Sequence, residues 1–239
     1  MRIASVSARM GSTRLPGKVL RQICGKPHLT RLVNRIWRSK VDGVVVATTQ
    51  NPEDDAIEYW AKTEGVACYR GSQDDVLSRI VGSQQMMKSD LCVMVWGDCP
   101  LIDPFFIDQA IDLVEDGADL AMGPTARRFP HGVSPHALRL SLLEELNDHT
   151  EDPAHREHTT LAFYEEPGYN VAKLVAPPEW DCNARLQVDY LEDHMVVEAI
   201  NSFLGPYDDF GTGEIVQLLR EQPWIMDINL IRQLSDSAG

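Results

Sequence analysis

Arg2-Ile3-Ala4-Ser5-Val6-Ser7-Ala8-Arg9-Met10-Gly11-Ser12-Thr13-Arg14-Leu15-Pro16-Gly17-Lys18 runs from a short apolar segment straight into a loop of Gly, Pro and basic residues. The first six residues predict a buried strand, and the punctuation after them predicts a functional loop at its carboxyl end. Pro27 then opens a helical pattern with Leu29, Leu32, Val33, Ile36 and Trp37 on one face. Gly43 ends it, and Val44-Val45-Val46-Ala47-Thr48 has the β-branched character of a strand buried on both faces. The alternation continues with helix at 53–64, strand at 66–69, helix at 74–87, strand at 91–96, helix at 104–114 and strand at 120–122. Strands alternating with helices predict an α/β fold: a doubly wound, mostly parallel sheet with helices on both faces and a ligand crevice at the strand ends. From 123 to about 180 the pattern loosens, with Pro124, Pro130, Pro135 and most of the histidines, and reads as a substrate or dimer lobe. A returning strand at 186–188 and helices at 191–204 and 213–221 close the chain, so residues 1–239 read as one domain.

Composition sets the boundaries. The chain has 239 residues, 44% hydrophobic and 24% charged, enough for one sizeable core. Its longest dense apolar run, 91–96, falls far short of the ~20 residues that span a bilayer, so a cytoplasmic protein with no membrane partner is expected. Cys24, Cys68, Cys92, Cys99 and Cys182 lack C-x-x-C spacing and read as reduced thiols. Net charge is −14, yet the first 40 residues contain ten Lys or Arg and no Asp or Glu. That asymmetry points to a local anion site on an acidic body. Nucleic acid is not the expected partner, because no basic stripe with interleaved aromatics extends past residue 40. Arg31, Arg35 and Arg38 are spaced like one solvated helix face.

The loop carries the chemistry. Gly11 and Gly17 permit close backbone approach, successive amides from Ala8 through Ser12 form an anion-holding concavity, and Arg9, Arg14 and Lys18 add fixed positive charge. A Walker A loop is excluded: five residues separate Gly11 from Gly17, and Val19 replaces the hydroxyl that holds Mg²⁺. Asp98 follows the apolar strand at 91–96, where a hard carboxylate suits Mg²⁺, and a turn-capping role before Pro100 is the alternative. A glycosyltransferase is disfavoured because the chain contains no D-x-D triplet.

ARMGSTRLPGK with the following Gly25-Lys26-Pro27 resembles the signature of the cytidylyltransferases that include CMP-Kdo and CMP-acylneuraminate synthetases, and most closely the spore coat polysaccharide biosynthesis protein F group. The likeness continues through Ala47-Thr48-Thr49 with Asp54-Asp55, Tyr69-Arg70-Gly71-Ser72 with Asp75-Val76-Leu77 and Arg79, Gly97-Asp98-Cys99-Pro100-Leu101, Glu157-His158, and Val188-Asp189. It implies a Rossmann-like nucleotidyltransferase of the GT-A type, a homodimer, and transfer of CMP from CTP to a sugar acid or related hydroxylated acceptor for surface polysaccharide synthesis; another NTP, a phosphonate or simple-sugar acceptor, and a non-catalytic nucleotide-binding protein are the alternatives. It also implies Mg²⁺ held by Asp98 and Asp189, although Tyr190-Leu191 stands where the family has Thr-Pro. Lys18, Arg9 and Arg14 would stabilise the leaving pyrophosphate, with Met10, Thr48 and Thr49 near the base edge and Arg70, Asp75 and Arg79 beside the nucleotide; for Arg79 a surface ion pair is the alternative. In the stretch where the family shows acidic residues for the acceptor, this chain has His131, Ser134 and His136. His155, Glu157 and His158 fall at an expected helix start, where acceptor contact, polar packing and a metal pair are the readings.

Overall fold

A computed structural model describes residues 1–123, 129–205 and 207–232. Pro124 and the rest of 124–128, inside the expected lobe, lie outside the described residues.

The predicted strands form the centre of a seven-stranded sheet. In chain order the strands are β1 (Arg2–Ser7), β2 (Gln22–Ile23), β3 (Lys26–Pro27), β4 (Gly43–Thr49), β5 (Ala67–Gly71), β6 (Leu91–Trp96), β7 (Leu120–Met122), β8 (His136–Arg139) and β9 (Val171–Lys173). The main sheet has the order β5-β4-β1-β6-β8-β7-β9, and β2 and β3 form a separate ribbon. β1 pairs in parallel with β4 and β6, and β4 with β5, while β8 is wedged antiparallel between β6 and β7. Every residue of β4 is buried, as a strand covered on both faces requires.

The pleat divides β6 between two layers. Leu91, Val93 and Val95 face one core with helices α1 (His28–Ile36), α2 (Asp55–Glu64), α4 (Pro104–Glu115), α8 (Leu191–Leu204) and α9 (Thr212–Glu221). Cys92 and Met94 face the other, with α3 (Val76–Met86), α5 (Leu140–His149) and α7 (Ala162–Glu165), and α6 (Pro153–Glu157) packs beside α3. Sequence marks several helix ends. Asp75 Oδ1 accepts the Ser78 amide at 2.9 Å, Asp103 Oδ1 accepts that of Phe105 at 2.9 Å before Pro104, and Gly65 stops α2 at φ 70°.

Three expectations are corrected. The loose segment contributes β8, α5 and β9, short elements whose alternation proline and histidine obscure. Residues 186–188 form no strand: the Leu186 amide donates to His131 O at 2.9 Å and that of Val188 to Asp98 O at 2.8 Å, so the segment stitches two different loops instead of one ladder. On α1, Trp37 is half exposed at its carboxyl end, while Arg31 and Arg35 are fully buried.

The buried arginines bind the C-terminal part to the sheet. Arg31 pairs with Asp208, whose other oxygen accepts from Lys26 at 3.3 Å and Asn34 at 3.2 Å. Arg38 donates to the carbonyls of Asp208 and Asp209 at 2.6 and 2.8 Å. Arg35 donates to Ile102 O at 2.7 Å and stacks 4.8 Å over the Phe210 ring. Asp208→Asn keeps the left-handed backbone at φ 59° accessible but removes the charge facing Arg31. It should cost about 3 kcal/mol or more, the scale for orphaning a buried charge, read as a lower midpoint in urea at unchanged slope.

Candidate functional site

The carboxyl ends of β1 and β6 open into a cleft of about 470 Å³. The loop after β1 is folded on itself: Met10 O accepts the amides of Ser12 at 2.8 Å and Gly17 at 3.0 Å, and buried Leu15 and Val19 root it in the core. Asp54, fully buried, fastens it to the end of β4 by accepting the Met10 amide at 2.6 Å and the Thr49 amide at 3.2 Å. Gly97 is needed where β6 crosses the start of the loop, because a Cβ there would lie 2.7 Å from Ser7 O.

Lys18 is the centre of the site. Its side chain is about nine-tenths buried, and its three ammonium protons find three acceptors: Val188 O at 2.8 Å, Asp189 Oδ1 at 2.9 Å and Asp98 Oδ2 at 3.0 Å. Around it, Arg14 reaches Asp189 Oδ1 at 2.8 Å, Arg185 reaches Asp189 Oδ2 at 2.7 Å, and Gln187 donates to Asp98 Oδ2 at 3.1 Å. Arg185 is itself steadied by Asp193 at 3.1 Å. Burial acts to raise the Asp189 carboxyl, but the Lys18 hydrogen bond and the charges of Lys18, Arg14 and Arg185 hold it below the usual carboxylate range. Burial, with Asp98 adjacent, pushes the Cys99 thiol up, so it supplies no thiolate nucleophile.

Of the residues expected at the nucleotide, Ala8, Arg9, Ser12, Arg14, Lys18 and Arg79 line this cleft, with Asp98 and Asp189 beside them. Arg79 is held by Ser7 Oγ at 3.2 Å and Gln73 O at 3.3 Å. Met10 and Gly11 build the loop without lining the cleft. Thr48 and Thr49 are buried behind it, and Thr49 bonds to Asp54. Arg70 is spent on Asp55 at 2.6 Å, Glu58 at 2.8 Å and two backbone carbonyls, and Asp75 on capping α3 and pairing Arg156 at 2.9 Å.

The residues expected at the acceptor divide between two places. Glu157 and His158 stand on the wall of the first cleft. His131, Ser134 and His136 line a second basin of about 470 Å³ that meets the first at Trp96. His155 turns away to Thr150 at 3.4 Å and Glu165 at 3.1 Å. Among the described residues, no group of three or more His, Cys, Asp or Glu side chains converges on a metal position. The sequence reading passed over Arg185, Gln187 and Lys173, because no spacing signal connects 185–187 to residue 98 or 173 to residue 136.

Comparison with known proteins follows the geometry. The family model described as Cytidylyltransferase matches residues 3–177. The spore coat polysaccharide biosynthesis protein SpsF of Bacillus subtilis (strain 168) is 31% identical over 227 residues, covering 91% of this chain and 93% of that protein. A cytidylyltransferase from Leptospira borgpetersenii serovar Hardjo-bovis (strain JB197) superimposes with a TM-score of 0.86 at 29% identity, over 94% of this chain and 95% of that one. A CMP:2-keto-3-deoxy-manno-octonic acid synthetase complexed with CTP shares the fold with a TM-score of 0.68 at 20% identity, over 85% of this chain and 99% of that one.

Two buried imidazoles near these cavities make stability depend on pH. Burial first, then Lys18 and His194, bring His28 from 6.5 down to about 3; burial, then Lys173, brings His136 down to about 4. Below pH 6.5 the unfolded chain takes up protons that the folded chain refuses, so stability is full above that pH and is lost as pH falls toward 3. Melting temperature should therefore fall between pH 6.5 and 4, and pairing His28→Asn with His136→Gln should flatten that slope.

Proposed function

The chain belongs to the cytidylyltransferase family, and from that premise we propose that it transfers CMP from CTP to a hydroxyl of a sugar acid, Kdo-like or nonulosonic, or of a related hydroxylated acceptor, in surface polysaccharide synthesis. The observation that carries this reading is the convergence of Lys18, Asp98 and Asp189 beneath a loop armed with Arg9 and Arg14.

In the implied reaction the acceptor oxygen forms a bond to the α-phosphorus, the bond from that phosphorus to the β-phosphate bridging oxygen breaks, and pyrophosphate leaves with the electron pair. The hydroxyl proton passes to solvent or a nearby base. The work of the protein is positioning and charge stabilisation. Arg9, Arg14 and Lys18 serve the triphosphate and the leaving pyrophosphate, Arg79 steadies the nucleotide, and the loop amides from Ala8 to Ser12 contribute partial positive charge.

The donor set suits Mg²⁺. Asp98 and Asp189 each place an oxygen within 3.0 Å of a single cationic atom, Lys18 Nζ, so the pair is disposed to share one cation. Two carboxylates are as many as Mg²⁺ commonly takes from protein, with phosphate and water as its other ligands. When bound, the ion would polarise phosphoryl oxygens and neutralise charge. The lining of the cleft is balanced, with Arg9, Arg14, Lys18 and Arg79 against Asp74, Asp98, Glu157 and Asp189. A cation on Asp98 and Asp189 would leave Lys18 and Arg14 to the phosphates. On this reading residues 1–239 act as one nucleotidyltransferase domain whose segment 123–180 supplies the acceptor wall and the contact with a second copy; a dimer mass by light scattering is the expected result.

Pyrophosphate release with CTP, UTP, GTP and ATP in turn, each against sugar acids, simple sugars and phosphonates, tests donor and acceptor together. CTP should be preferred, and no release with any pair would refute the reading. Lys18→Ala should lower kcat roughly 10²-fold, and near-wild-type turnover would remove Lys18 from the chemistry. Asp98→Asn should abolish Mg²⁺-dependent turnover while circular dichroism stays unchanged.

A further inference from the structure

Beyond Trp96 the second basin differs in kind from the cleft beside it. The cleft is lined by four acids and four guanidinium or ammonium groups. Among the described residues, the basin is lined by Trp96 and Phe129 rings, by Ser134, Gln187, His131 and His136, and by a single lysine, Lys173, with no carboxylate side chain. Burial lowers both histidines, His136 to about 4, so at neutral pH both are uncharged hydrogen-bonding groups. Among the described lining residues, that leaves Lys173 as the full charge.

Each wall is held in place. His136 Nδ1 is bonded to Thr160 Oγ1 at 3.0 Å, Thr160 to the Tyr164 hydroxyl at 2.9 Å, and the His136 ring meets Trp96 edge-on at 4.7 Å. Gly132, at φ 97°, lets the 131–134 loop lie against the 186–187 backbone, where a Cβ would be 2.7 Å from Gln187 N. Gln187 lines the basin and donates to Asp98 of the cleft, so the two cavities meet at a hydrogen bond as well as at Trp96. Lys173 stands at the end of β9, an edge strand, exposed, with its Nζ 6.0 Å from the Tyr164 ring centroid. Its field falls on His136.

Resting on the nucleotidyl-transfer reading, we infer that this basin seats the acceptor and that Lys173 selects it by binding an anionic group on it, while Trp96 and the neutral His131, Ser134 and His136 receive its ring and hydroxyls. An aromatic face with uncharged donors and acceptors accommodates a polyhydroxylated ring. Among the described residues, an ammonium on a lining without carboxylates adds a negative charge to that specification and disfavours an amine. Carboxylate and phosphonate both meet it. The same ring without the anion leaves the ammonium uncompensated on binding.

The test compares wild type, Lys173→Met and Lys173→Arg, measuring pyrophosphate release at saturating CTP with Kdo, 2-hydroxyethylphosphonate and mannose. Calorimetry measures CTP binding, and saturation-transfer NMR measures contact with each acceptor. An anionic member should be used in preference to mannose, which of the two anions is used telling carboxylate from phosphonate. Lys173→Met should raise its KM roughly tenfold or more, the scale of a lost charge-assisted bond. Its kcat and the KM for CTP should change little, and Lys173→Arg should restore most of the loss. Should nothing in the panel turn over, loss of NMR contact by the anions in Lys173→Met alone supports the assignment. Equal contact in both proteins, or none with either anion, overturns it. So does use of mannose on a par with the anions, or a KM for CTP that rises together with that for the acceptor. Failure of wild type to bind CTP sinks the nucleotidyl reading itself, and this assignment with it.

Discussion

A buried ammonium must have every proton accepted, and Lys18 meets that demand with one backbone carbonyl and two carboxylates drawn from positions 98, 188 and 189. The arrangement is costly to desolvate, and one partner alone would leave it uncompensated. Arg14 and Arg185 therefore complete the coordination of Asp189, Gln187 that of Asp98, and Asp193 that of Arg185. Because these groups come from three separate stretches of chain, their mutual satisfaction fixes the loop after β1, the turn after β6 and the segment before α8 relative to one another. The cleft is the space those three pieces leave.

The excess of positive charge in the first 40 residues has two separate uses. Arg9, Arg14 and Lys18 face the cleft, where an anion is their natural complement. Arg31, Arg35 and Arg38 face inward or along the 208–210 turn, where Asp208, two carbonyls and the Phe210 ring receive them. Part of what looks like an anion-binding surface in composition is thus a fastening to the 208–210 turn, buried at Arg31 and Arg35. The long aliphatic stems of arginine make this possible, since they pack as apolar matter while the guanidinium reaches a distant acceptor.

The two cavities also divide the chemistry. One holds balanced opposite charges that a polyanion and a cation can rearrange; the other is, among the described residues, aromatic and hydrogen-bonding with one lysine at its edge. They communicate through Trp96 and the Gln187–Asp98 hydrogen bond, both at the carboxyl end of β6. A strand end at a change of sheet direction, with β8 running antiparallel beside β6, is a natural place for such a junction.

The parallel core, its helices and the loop with its cations were readable from the chain alone, because periodicity and Gly/Pro punctuation are local signals: β1, β4 and β6 fall where their apolar runs lie. Family signature residues also brought Asp98 and Asp189 forward, and the structure sets both on Lys18. Only the tertiary structure decided the rest. Arg31 and Arg35 have helical spacing that fits solvent equally well, and burial was settled by Asp208 and Phe210, more than 170 residues away. Residues 186–188 look like a strand but are pulled apart by two partners, and β8 is hidden because its four residues, His136–Arg139, are too few to show a period. Arg70, Asp75 and Thr49, close to the cleft in sequence motif, are taken up by neighbours that no motif specifies, whereas Lys173 reaches its basin through the sheet order and Gln187 through the contacts of its segment with His131 and Asp98. Local sequence determines which elements form; which long side chains meet across them is set by packing, where the desolvation of each charge selects its partner.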